Sequence, residues 1–469
     1  MAKPTEDAFD LIVLGAGPAG EKGAAQAAYF GKRVAIVERE PLPGGAAVHT
    51  GTLPSKTLRE TALFVSGYRQ RDLYGVTVEV APQLAISTLI ARKNAVRDLE
   101  TDRMLRNLDR HHIETVRGDA RFLDPRTVQV TGPDGERTLI ARVILIATGS
   151  RPFHPPGIPF EDPDVYDSTE ILGIDRSPAS LTVLGGGVIG CEYASMFAAL
   201  GVDVQMIESR PRLLPFLDLE MGERLRGAMT TLGVTFHMEE RASEVRRTSD
   251  AELTSTLTSG DRVASEMVLV AAGRTGNTDT LNLEAIGVEM DLRGSVVVDA
   301  DFATAAPGVY AAGDVIGFPA LASASMEQAR VAVCHAFGFE YKQAVSNVLP
   351  YGVYTIPEVS CVGLSEEEAT RQGVDVVVGR AFMRDNARGE IIGDREGMIK
   401  LVFDRASRRL VGCHCIGERA SELVHIGQAV IVLGGTVETF IEMVFNYPTL
   451  GEAYKYAAYD ALAVLGPAT

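Results

Sequence analysis

The most informative part of the sequence is LIVLGAGPAG at residues 11–20, and LTVLGGGVIG at residues 181–190 repeats its pattern. In each copy a short apolar strand runs into the spacing Gly-x-Gly-x-x-Gly, and a helical stretch follows. A second apolar strand then ends in an acid, which is Glu38 in the first copy and Glu208 in the second. Each acid follows the third glycine of its copy by close to the roughly 20 residues that are typical of a dinucleotide-binding strand–helix–strand unit. The sequence therefore predicts an α/β fold with two Rossmann-like domains.

The three glycines of each copy have different predicted tasks. The first turns the chain, the second lets the backbone approach a pyrophosphate, and the third lets helix and strand pack closely. The helix N-terminus then faces the phosphates, and the terminal acid accepts hydrogen bonds from a ribose. The residues assigned in this way are Gly15, Gly17, Gly20 and Glu38 in the first copy and Gly185, Gly187, Gly190 and Glu208 in the second. Two dinucleotides on one chain favour an oxidoreductase that passes electrons between a nicotinamide and a flavin.

Length, charge and cysteine content narrow the function classes. The chain has 469 residues, which at roughly 100–200 residues per domain predicts about three domains. A net charge of −17 disfavours binding to nucleic acid or an anionic membrane surface. The longest apolar runs fall far short of the roughly 20 residues of a membrane helix. Five cysteines do not suit a secreted disulfide framework, and the first ten residues show no targeting signal, so we expect a cytoplasmic protein.

The C-terminal quarter of the chain has no glycine fingerprint. Short alternating strands such as MIKLVFD and RLVGCHCIG come first, and helices with wide apolar faces follow. This pattern predicts a separate α+β domain, whose apolar helix faces fit either an ordinary core or a partner chain.

Seven ordered motifs resemble one protein family. They are GAGPAG with Glu38, GGAAVHTGTLPSK at 44–56, ATGSRP from Ala147, GGGVIGCE at 185–192, AAGRTGN from Ala271, TAAPGVYAAGD at 304–314 and YPTLGEA from Tyr447. Together they resemble the flavoprotein pyridine-nucleotide disulfide oxidoreductases over nearly the whole chain. Within that family, HTGTLPSK, GERASELVHIGQA and FNYPTLGEAY are most similar to the soluble pyridine nucleotide transhydrogenases.

The resemblance implies a domain division and a homodimer. An FAD-binding domain would comprise residues 1–152 and 281–347, an NAD(P)-binding domain residues 153–280, and a C-terminal dimerisation domain residues 348–469. Two catalytic candidates, Tyr447 and Glu452, would reach the flavin site of the partner subunit.

The resemblance also implies site residues. FAD would be held by Gly15, Gly17, Gly20, Glu38, Gly45, Lys56, Ala120, Gly149, Asp314 and the helix that begins near Ala322. NAD(P) would be held by Gly185, Gly187, Gly190, Glu208, Ala242 and Gly273. The other two catalytic candidates are Lys56, placed beside the flavin N5 edge, and Glu192, placed as its ion-pair partner.

Three departures from the family pattern bear on the reaction. Ala47 and Thr52 stand where the disulfide reductases of this family carry two redox cysteines, and Tyr447 stands where they carry an acid–base histidine. The phenol has an unperturbed pKa near 10, which is a poor match to proton transfer at pH 7. Activity toward lipoamide or glutathione disulfide is therefore expected to be absent. Cys413 and Cys415 alternate on one strand face and are predicted to be buried, and no ligand spacing predicts a metal site.

Hydride transfer from NAD(P)H through FAD to a second nicotinamide is the leading functional prediction, since it needs neither thiol nor proton relay. An NAD(P)H dehydrogenase acting on a quinone or another small acceptor is the alternative, and a non-enzymatic flavoprotein is less favoured. Glu208 favours NAD, because a carboxylate repels the 2′-phosphate of NADP. Arg210 and Arg212 follow it, and binding of that phosphate by either of them is an open alternative.

Overall fold

The computed structural model describes residues 7–68, 73–75 and 82–466, without the side chains of residues 82–85. The chain forms two compact units. The first comprises Met1–Thr57, Ile90–Phe153 and Gly273–Ser346, and the second comprises Leu58–Leu89, His154–Ala272 and Asn347–Thr469. The predicted division into FAD-binding, NAD(P)-binding and C-terminal domains stays a prediction.

Strands and helices alternate through the first two thirds of the chain. The strands are β1 (Ala8–Leu14), β2 (Val34–Glu38), β3 (Glu114–Arg117), β4 (Asp119–Asp124), β5 (Thr127–Gly132), β6 (Gly135–Ile146), β7 (Ser150–Pro152), β8 (Val165–Asp167), β9 (Ser180–Leu184), β10 (Asp203–Glu208), β11 (Val234–Met238), β12 (Ala242–Ser249), β13 (Glu252–Leu257), β14 (Arg262–Ser265), β15 (Met267–Val270), β16 (Arg274–Gly276), β17 (Val309–Ala311), β18 (Tyr351–Val353), β19 (Glu358–Gly363), β20 (Val376–Phe382), β21 (Met398–Asp404) and β22 (Leu410–Gly417). The helices are α1 (Pro18–Tyr29), α2 (Gly45–His49), α3 (Thr52–Ser66), α4 (Pro82–Arg110), α5 (Val188–Ala199), α6 (Leu219–Leu232), α7 (Ala322–Phe337), α8 (Glu366–Arg371), α9 (Ala387–Ile392), α10 (Ala420–Val432), α11 (Val437–Glu442) and α12 (Ala453–Leu465). Short 3₁₀ turns span Glu170–Gly173, Glu284–Ile286, Asp314–Ile316, Met383–Asp385 and Leu450–Glu452. No described helix combines the length and apolar character needed to cross a bilayer.

The first unit is built on a seven-stranded sheet in the order β3-β2-β1-β6-β5-β4, with β17 also paired to β6. Strands β1, β2, β3, β17 and the second half of β6 run parallel, whereas β4, β5 and the first half of β6 run antiparallel. The central strand β1 is almost wholly buried on both faces, as expected of a parallel strand between helices. Helices α1 and α7 pack against each other, since a Cβ on Gly23 would meet Leu145, Ala329 and Val333. The predicted strand–glycine turn–helix arrangement is confirmed here.

The second unit contains the other parallel sheet, in the order β11-β10-β9-β15-β8. Strands β12, β13 and β14 form an antiparallel meander between β11 and β15 in the chain. Helix α5 follows β9 and is buried along most of its length. The repeated sequence pattern therefore produces a repeated structure, because the same glycine spacing joins a buried parallel strand to a helix in both units.

The C-terminal part of the second unit is an antiparallel sheet in the order β18-β19-β22-β21-β20. Helices α10 and α12 pack on this sheet, and the fully buried side chains of Tyr454, Phe403 and Phe440 lie in the shared core. The predicted α+β character of this region is confirmed. Cys413 and Cys415 are buried as predicted, with both sulfurs within reach of the Tyr454 hydroxyl.

A buried ion cluster joins helix α6 to this C-terminal sheet. The side chain of Lys400 on β21 is 1% exposed, and its Nζ lies 2.9 Å from Asp218 Oδ1. The same ammonium lies 3.3 Å from Glu220 Oε2 and 2.9 Å from Glu366 Oε2. Asp218 also caps α6 by accepting the Glu220 amide. Lys400 therefore compensates the buried Asp218, whereas Glu220 and Glu366 are also paired with Arg380.

Candidate functional site

The first glycine turn connects β1 to α1 with no room for side chains. Gly15 has φ +101°, and a Cβ there would lie 2.5 Å from the Ala147 carbonyl oxygen. A Cβ on Gly20 would lie 1.8 Å from the carbonyl oxygen of Gly15. Gly17 caps α1 without a side chain, and Pro18 stands at the first helical position. The first amides of α1 thus have no side-chain cap, as in sites that bind phosphate at a helix N-terminus.

Glu38 ends β2 and turns its carboxylate toward the first turn. The carboxylate accepts the Ala16 amide at 2.8 Å and the Glu40 amide at 3.0 Å. The backbone of Glu38 accepts the Gly118 amide at 2.9 Å, directly before β4. Ala120 lies on β4 and is buried. Glu38 on β2 and Ala120 on β4, both predicted to hold FAD, therefore lie in one sheet.

The segment that carries Gly45 and Lys56 packs beside the first turn. A Cβ on Gly45 would lie 2.9 Å from the Gly17 Cα, so the two backbones are in close contact. Ala47 lies on α2 and Thr52 begins α3, the helix that also carries Lys56. The ammonium of Lys56 donates to the Ser55 hydroxyl at 3.3 Å. The segment that holds a dithiol in disulfide reductases thus supplies Ala47 and Thr52 here.

Gly149 and Asp314 lie on segments braced against each other. Ser150 on β7 donates from Oγ to Asp314 Oδ2 at 3.4 Å, and it accepts the Arg274 Nε–H at 2.7 Å. The carbonyl of Gly149 accepts the Asn277 amide at 3.0 Å. Asp314 begins a 3₁₀ turn that follows β17. The brace fixes the carboxylate of Asp314, which the resemblance places among the FAD-binding residues.

Helix α7 begins at Ala322, as predicted. Its preceding residue, Leu321, is extended and supplies no side-chain cap. The Gln328 side chain, farther along α7, accepts the Gly313 amide at 2.9 Å. That bond orients the turn before Asp314. The first amides of α7 have no side-chain cap.

The second glycine turn repeats the first one almost contact for contact. Gly185 has φ +112°, and a Cβ there would lie 2.5 Å from the Ala271 carbonyl oxygen. A Cβ on Gly190 would lie 1.9 Å from the Gly185 carbonyl oxygen. Gly187 caps α5 and has no atom within 4 Å of the place where its Cβ would be. The turn therefore leaves open space beside an uncapped helix N-terminus.

Glu208 ends β10 and differs from Glu38 in its partners. Its carboxylate accepts the Gly186 amide at 2.6 Å and the Arg210 amide at 2.8 Å, which matches the two amides on Glu38. In addition, Arg210 donates from Nε at 2.8 Å and from Nη2 at 2.7 Å. Burial acts to raise the pKa of Glu208, but these hydrogen bonds outweigh it and lower the pKa to about 2. Glu208 is therefore ionised and held in a fork by Arg210 at neutral pH.

The catalytic candidate Glu192 is buried on α5. Its Oε1 accepts the Tyr354 backbone amide at 3.0 Å. One turn later, the Ser195 hydroxyl donates to the Glu192 carbonyl and accepts the Ile356 amide at 3.1 Å. The segment between β18 and β19 is thus fixed on α5. Lys56 lies in the first unit and Glu192 in the second, and their pairing stays a prediction.

The remaining candidates occupy loops and strand ends. Tyr447 is exposed and precedes a cis proline, and Glu452 accepts the Tyr456 hydroxyl at 3.4 Å. Ala242 begins β12. Gly273 directly precedes β16, and its carbonyl accepts the Phe153 amide at 2.9 Å. The binding roles of these residues stay predictions.

All five cysteines are free thiols, and burial governs their chemistry. Cys191 and Cys334 are buried, and burial raises the pKa of both. Burial also raises the pKa of Cys361 to about 12. In the described part of the chain, no three His, Cys, Asp or Glu side chains are placed to hold a metal ion.

We expect native protein to release almost no thionitrobenzoate from a disulfide reagent at pH 8, because thiolates are the reactive species and these thiols are protonated or buried. The same protein in urea should release about five equivalents, one for each cysteine. Rapid labelling of one thiol in the folded protein would contradict the structure.

Several contacts that hold the predicted site residues were not predicted from the sequence. Ser150, Arg274 and Asn277 lie inside the quoted motifs ATGSRP and AAGRTGN, and the similarity of these two segments was the available signal. The Tyr354 amide on Glu192 had no signal, because a backbone donor 162 residues away leaves no mark on the sequence. For Arg210, the sequence analysis considered only binding of the 2′-phosphate of NADP. It did not predict the ion pair with Glu208.

The two turns fit dinucleotides on chemical grounds. Each presents a helix N-terminus without a side-chain cap and a buried carboxylate fixed by two backbone amides. These are the donors and the acceptor that a pyrophosphate and an adenosine ribose require. Gly15, Gly17, Gly20 and Glu38 would hold the adenosine half of FAD, and the second turn would hold the nicotinamide nucleotide.

Comparison with known proteins agrees with this geometry. Residues 9–336 match the family model described as pyridine nucleotide-disulphide oxidoreductase, and residues 349–458 match the model of its dimerisation domain. A soluble pyridine nucleotide transhydrogenase from Mycobacterium bovis (strain BCG / Pasteur 1173P2) is 45% identical over 456 residues, with 97% of each chain covered. Another, from Erwinia tasmaniensis, is 40% identical over 458 residues, with 97% of this chain and 98% of the relative covered.

Two solved structures have the same fold. LpdA from Mycobacterium tuberculosis gives a TM-score of 0.88 at 27% identity, covering 96% of this chain and 98% of that one. A Cu(II) complex of the HOCl-induced flavoprotein disulfide reductase RclA from Escherichia coli gives 0.87 at 26% identity, covering 96% and 99%. The protein is an FAD-dependent oxidoreductase of NAD(P)H. The two dinucleotide turns and the dimerisation region lie in one chain in the family's order, and the chain belongs to the pyridine nucleotide-disulphide oxidoreductase family.

Proposed function

We propose that this protein transfers hydride between NAD(H) and NADP(H) by way of FAD. The observation that carries the proposal is a pair of matching dinucleotide turns on a chain whose dithiol positions hold Ala47 and Thr52. Bound FAD would supply the chemistry, accepting hydride from one nicotinamide and returning it to another. No thiol is needed for such a cycle, and the full-length relatives named as soluble transhydrogenases support the assignment.

The chain's own residues bind and position the reactants in this proposal. The second turn would bind reduced and oxidised nicotinamides in succession, with Gly187 leaving room for the pyrophosphate. Lys56 would place a fixed positive charge beside the flavin, and Glu192 would orient it. Asp314, braced through Ser150, would hold the ribityl chain. Tyr447 and Glu452 would complete the site of the partner subunit in a homodimer formed through residues 349–458. We place the enzyme in the cytoplasm, which suits its five unpaired cysteines.

An anaerobic stopped-flow experiment tests the proposal. We expect NADPH or NADH to bleach the oxidised flavin band, and thio-NAD⁺ to restore it, with parallel initial-rate lines as in a ping-pong cycle. Lipoamide, as the control acceptor, should restore nothing. A flavin that no reduced nicotinamide bleaches would contradict any NAD(P)H oxidoreductase activity.

A quinone reductase is the second candidate, favoured by the small side chain of Ala47 in the segment next to the first turn. It predicts rapid reoxidation by a soluble quinone and slow reoxidation by thio-NAD⁺. The same experiment with both acceptors therefore separates the two functions.

A further inference from the structure

The two ribose carboxylates of this chain differ in their side-chain donors, because Glu208 accepts the Arg210 fork and the Ser209 hydroxyl in addition to its two amides. Each carboxylate accepts one amide from its glycine turn and one from two residues farther along the chain. Only the second copy carries a basic residue at that farther position, Arg210, where the first copy has Glu40. The two copies thus provide an internal comparison of a carboxylate with and without a bound guanidinium.

The fork fills the hydrogen-bonding capacity of Glu208. Its carboxylate accepts two backbone amides, two guanidinium N–H groups and the Ser209 hydroxyl. A carboxylate offers about four lone-pair positions, so five donors leave none for a ribose hydroxyl. A nucleotide that uses Glu208 must therefore displace the guanidinium of Arg210.

Arg210 faces the solvent side of this pair. Its side chain is 43% exposed, whereas that of Glu208 is 3% exposed. An incoming adenosine therefore meets a guanidinium before it meets a carboxylate. A guanidinium has five N–H donors and the fork uses two of them, so the same group can bind a phosphate bidentately. Arg212 is engaged elsewhere, because its Nη2 donates to the Pro215 carbonyl.

We propose that Arg210 is a two-position specificity residue that allows the second dinucleotide turn to accept both NAD(H) and NADP(H). With NAD(H), the guanidinium leaves the carboxylate and Glu208 accepts the ribose 2′-hydroxyl. With NADP(H), the guanidinium moves to the 2′-phosphate and offsets its repulsion by Glu208. The inference rests on the proposed function, which requires both nucleotides to use this turn in succession.

Calorimetric binding of 2′,5′-ADP and 5′-AMP to the FAD-loaded enzyme tests the inference without turnover. We expect Arg210→Gln to weaken 2′,5′-ADP about 10- to 30-fold, which is the loss of one charge-assisted bidentate contact, and to change 5′-AMP less than about threefold. Arg210→Lys should restore part of the loss, because it keeps the charge without the fork. Glu208→Gln should strengthen 2′,5′-ADP, since it removes the competing carboxylate.

A control is Arg246→Gln, which removes from strand β12 a positive charge that is 74% exposed, against 43% for Arg210. Its binding of both nucleotides should stay within about twofold of the wild type, because an exposed pair contributes little. Equal weakening of both nucleotides by Arg210→Gln would overturn the inference, as would loss of discrimination in Arg212→Gln with Arg210→Gln unaffected. Failure of hydride exchange with 2′,5′-ADP binding still dependent on Arg210 would refute only the proposed function.

Discussion

Gly20→Ala is expected to give a protein that retains no FAD, and Gly190→Ala one that retains FAD but is not reduced by NADH. The added Cβ would lie 1.8 Å from the Gly15 carbonyl oxygen in the first case and 1.9 Å from that of Gly185 in the second. Both obstacles are backbone atoms inside the turn, so no side-chain rotation relieves them. Each turn must open, and its helix N-terminus then no longer faces the pyrophosphate.

The measurements are the flavin absorbance of the purified protein and the anaerobic bleaching of that absorbance by NADH. Gly227→Ala is the control, because this glycine lies in α6 with no atom within 4 Å of the new Cβ. That change should raise the free energy of unfolding by about 1 kcal/mol and leave both readouts unchanged. A Gly20→Ala protein with full flavin content would show that the turn tolerates a side chain.

Lys400→Met is expected to lower the free energy of unfolding by about 3–5 kcal/mol, the usual cost of leaving a buried charge without its partner. Asp218 is fully buried and would lose its contact with the ammonium at 2.9 Å. The methionine fills a similar volume, so the loss reports on charge rather than on a cavity. Urea unfolding followed by fluorescence and by circular dichroism measures the effect. Arg405→Met is the control, since the pair it forms with Asp375 is exposed and should contribute less than about 1 kcal/mol.

The stability of the wild type and that of Lys400→Met should change in opposite directions as the pH falls. In the wild type, burial acts to raise the pKa of Asp218, but the neighbouring His414 and Lys400 lower it overall, so its stabilisation is lost as the pH falls. Without Lys400, less opposes the effect of burial on the pKa of Asp218. Protonation of the Asp218 carboxyl then removes an uncompensated buried charge from the variant. Because the pKa of Asp218 lies below the ordinary Asp value of about 3.9, the stability difference should shrink as the pH falls from about 5 to about 3. A difference that is constant over this range would argue against a charge effect.

Features that depend on local chain geometry could be predicted from the sequence alone. Each turn needs three glycines in a fixed order: one with positive φ, one at the helix start, and one packed against the carbonyl oxygen of the first. Their spacing therefore identified both turns and the acids that follow them. The absence of cysteine at positions 47 and 52 could also be read from the sequence. Without both thiols in that segment, no redox dithiol can form and disulfide reduction is not expected. Burial of Cys413 and Cys415 followed from strand alternation.

Contacts that join distant segments depend on the tertiary structure and could not be predicted from the sequence. Lys400 lies in an ordinary strand pattern, yet it is buried because Asp218, 182 residues earlier, meets it in the fold. Glu192 is fixed by a backbone amide, and Asp314 by a serine that Arg274 orients. Glu208 and Arg210 are only two residues apart, but whether the guanidinium points to the carboxylate or to solvent is a rotamer choice made by packing. Local spacing fixes the backbone of a turn, whereas the partner of a charge depends on what the rest of the fold brings near it.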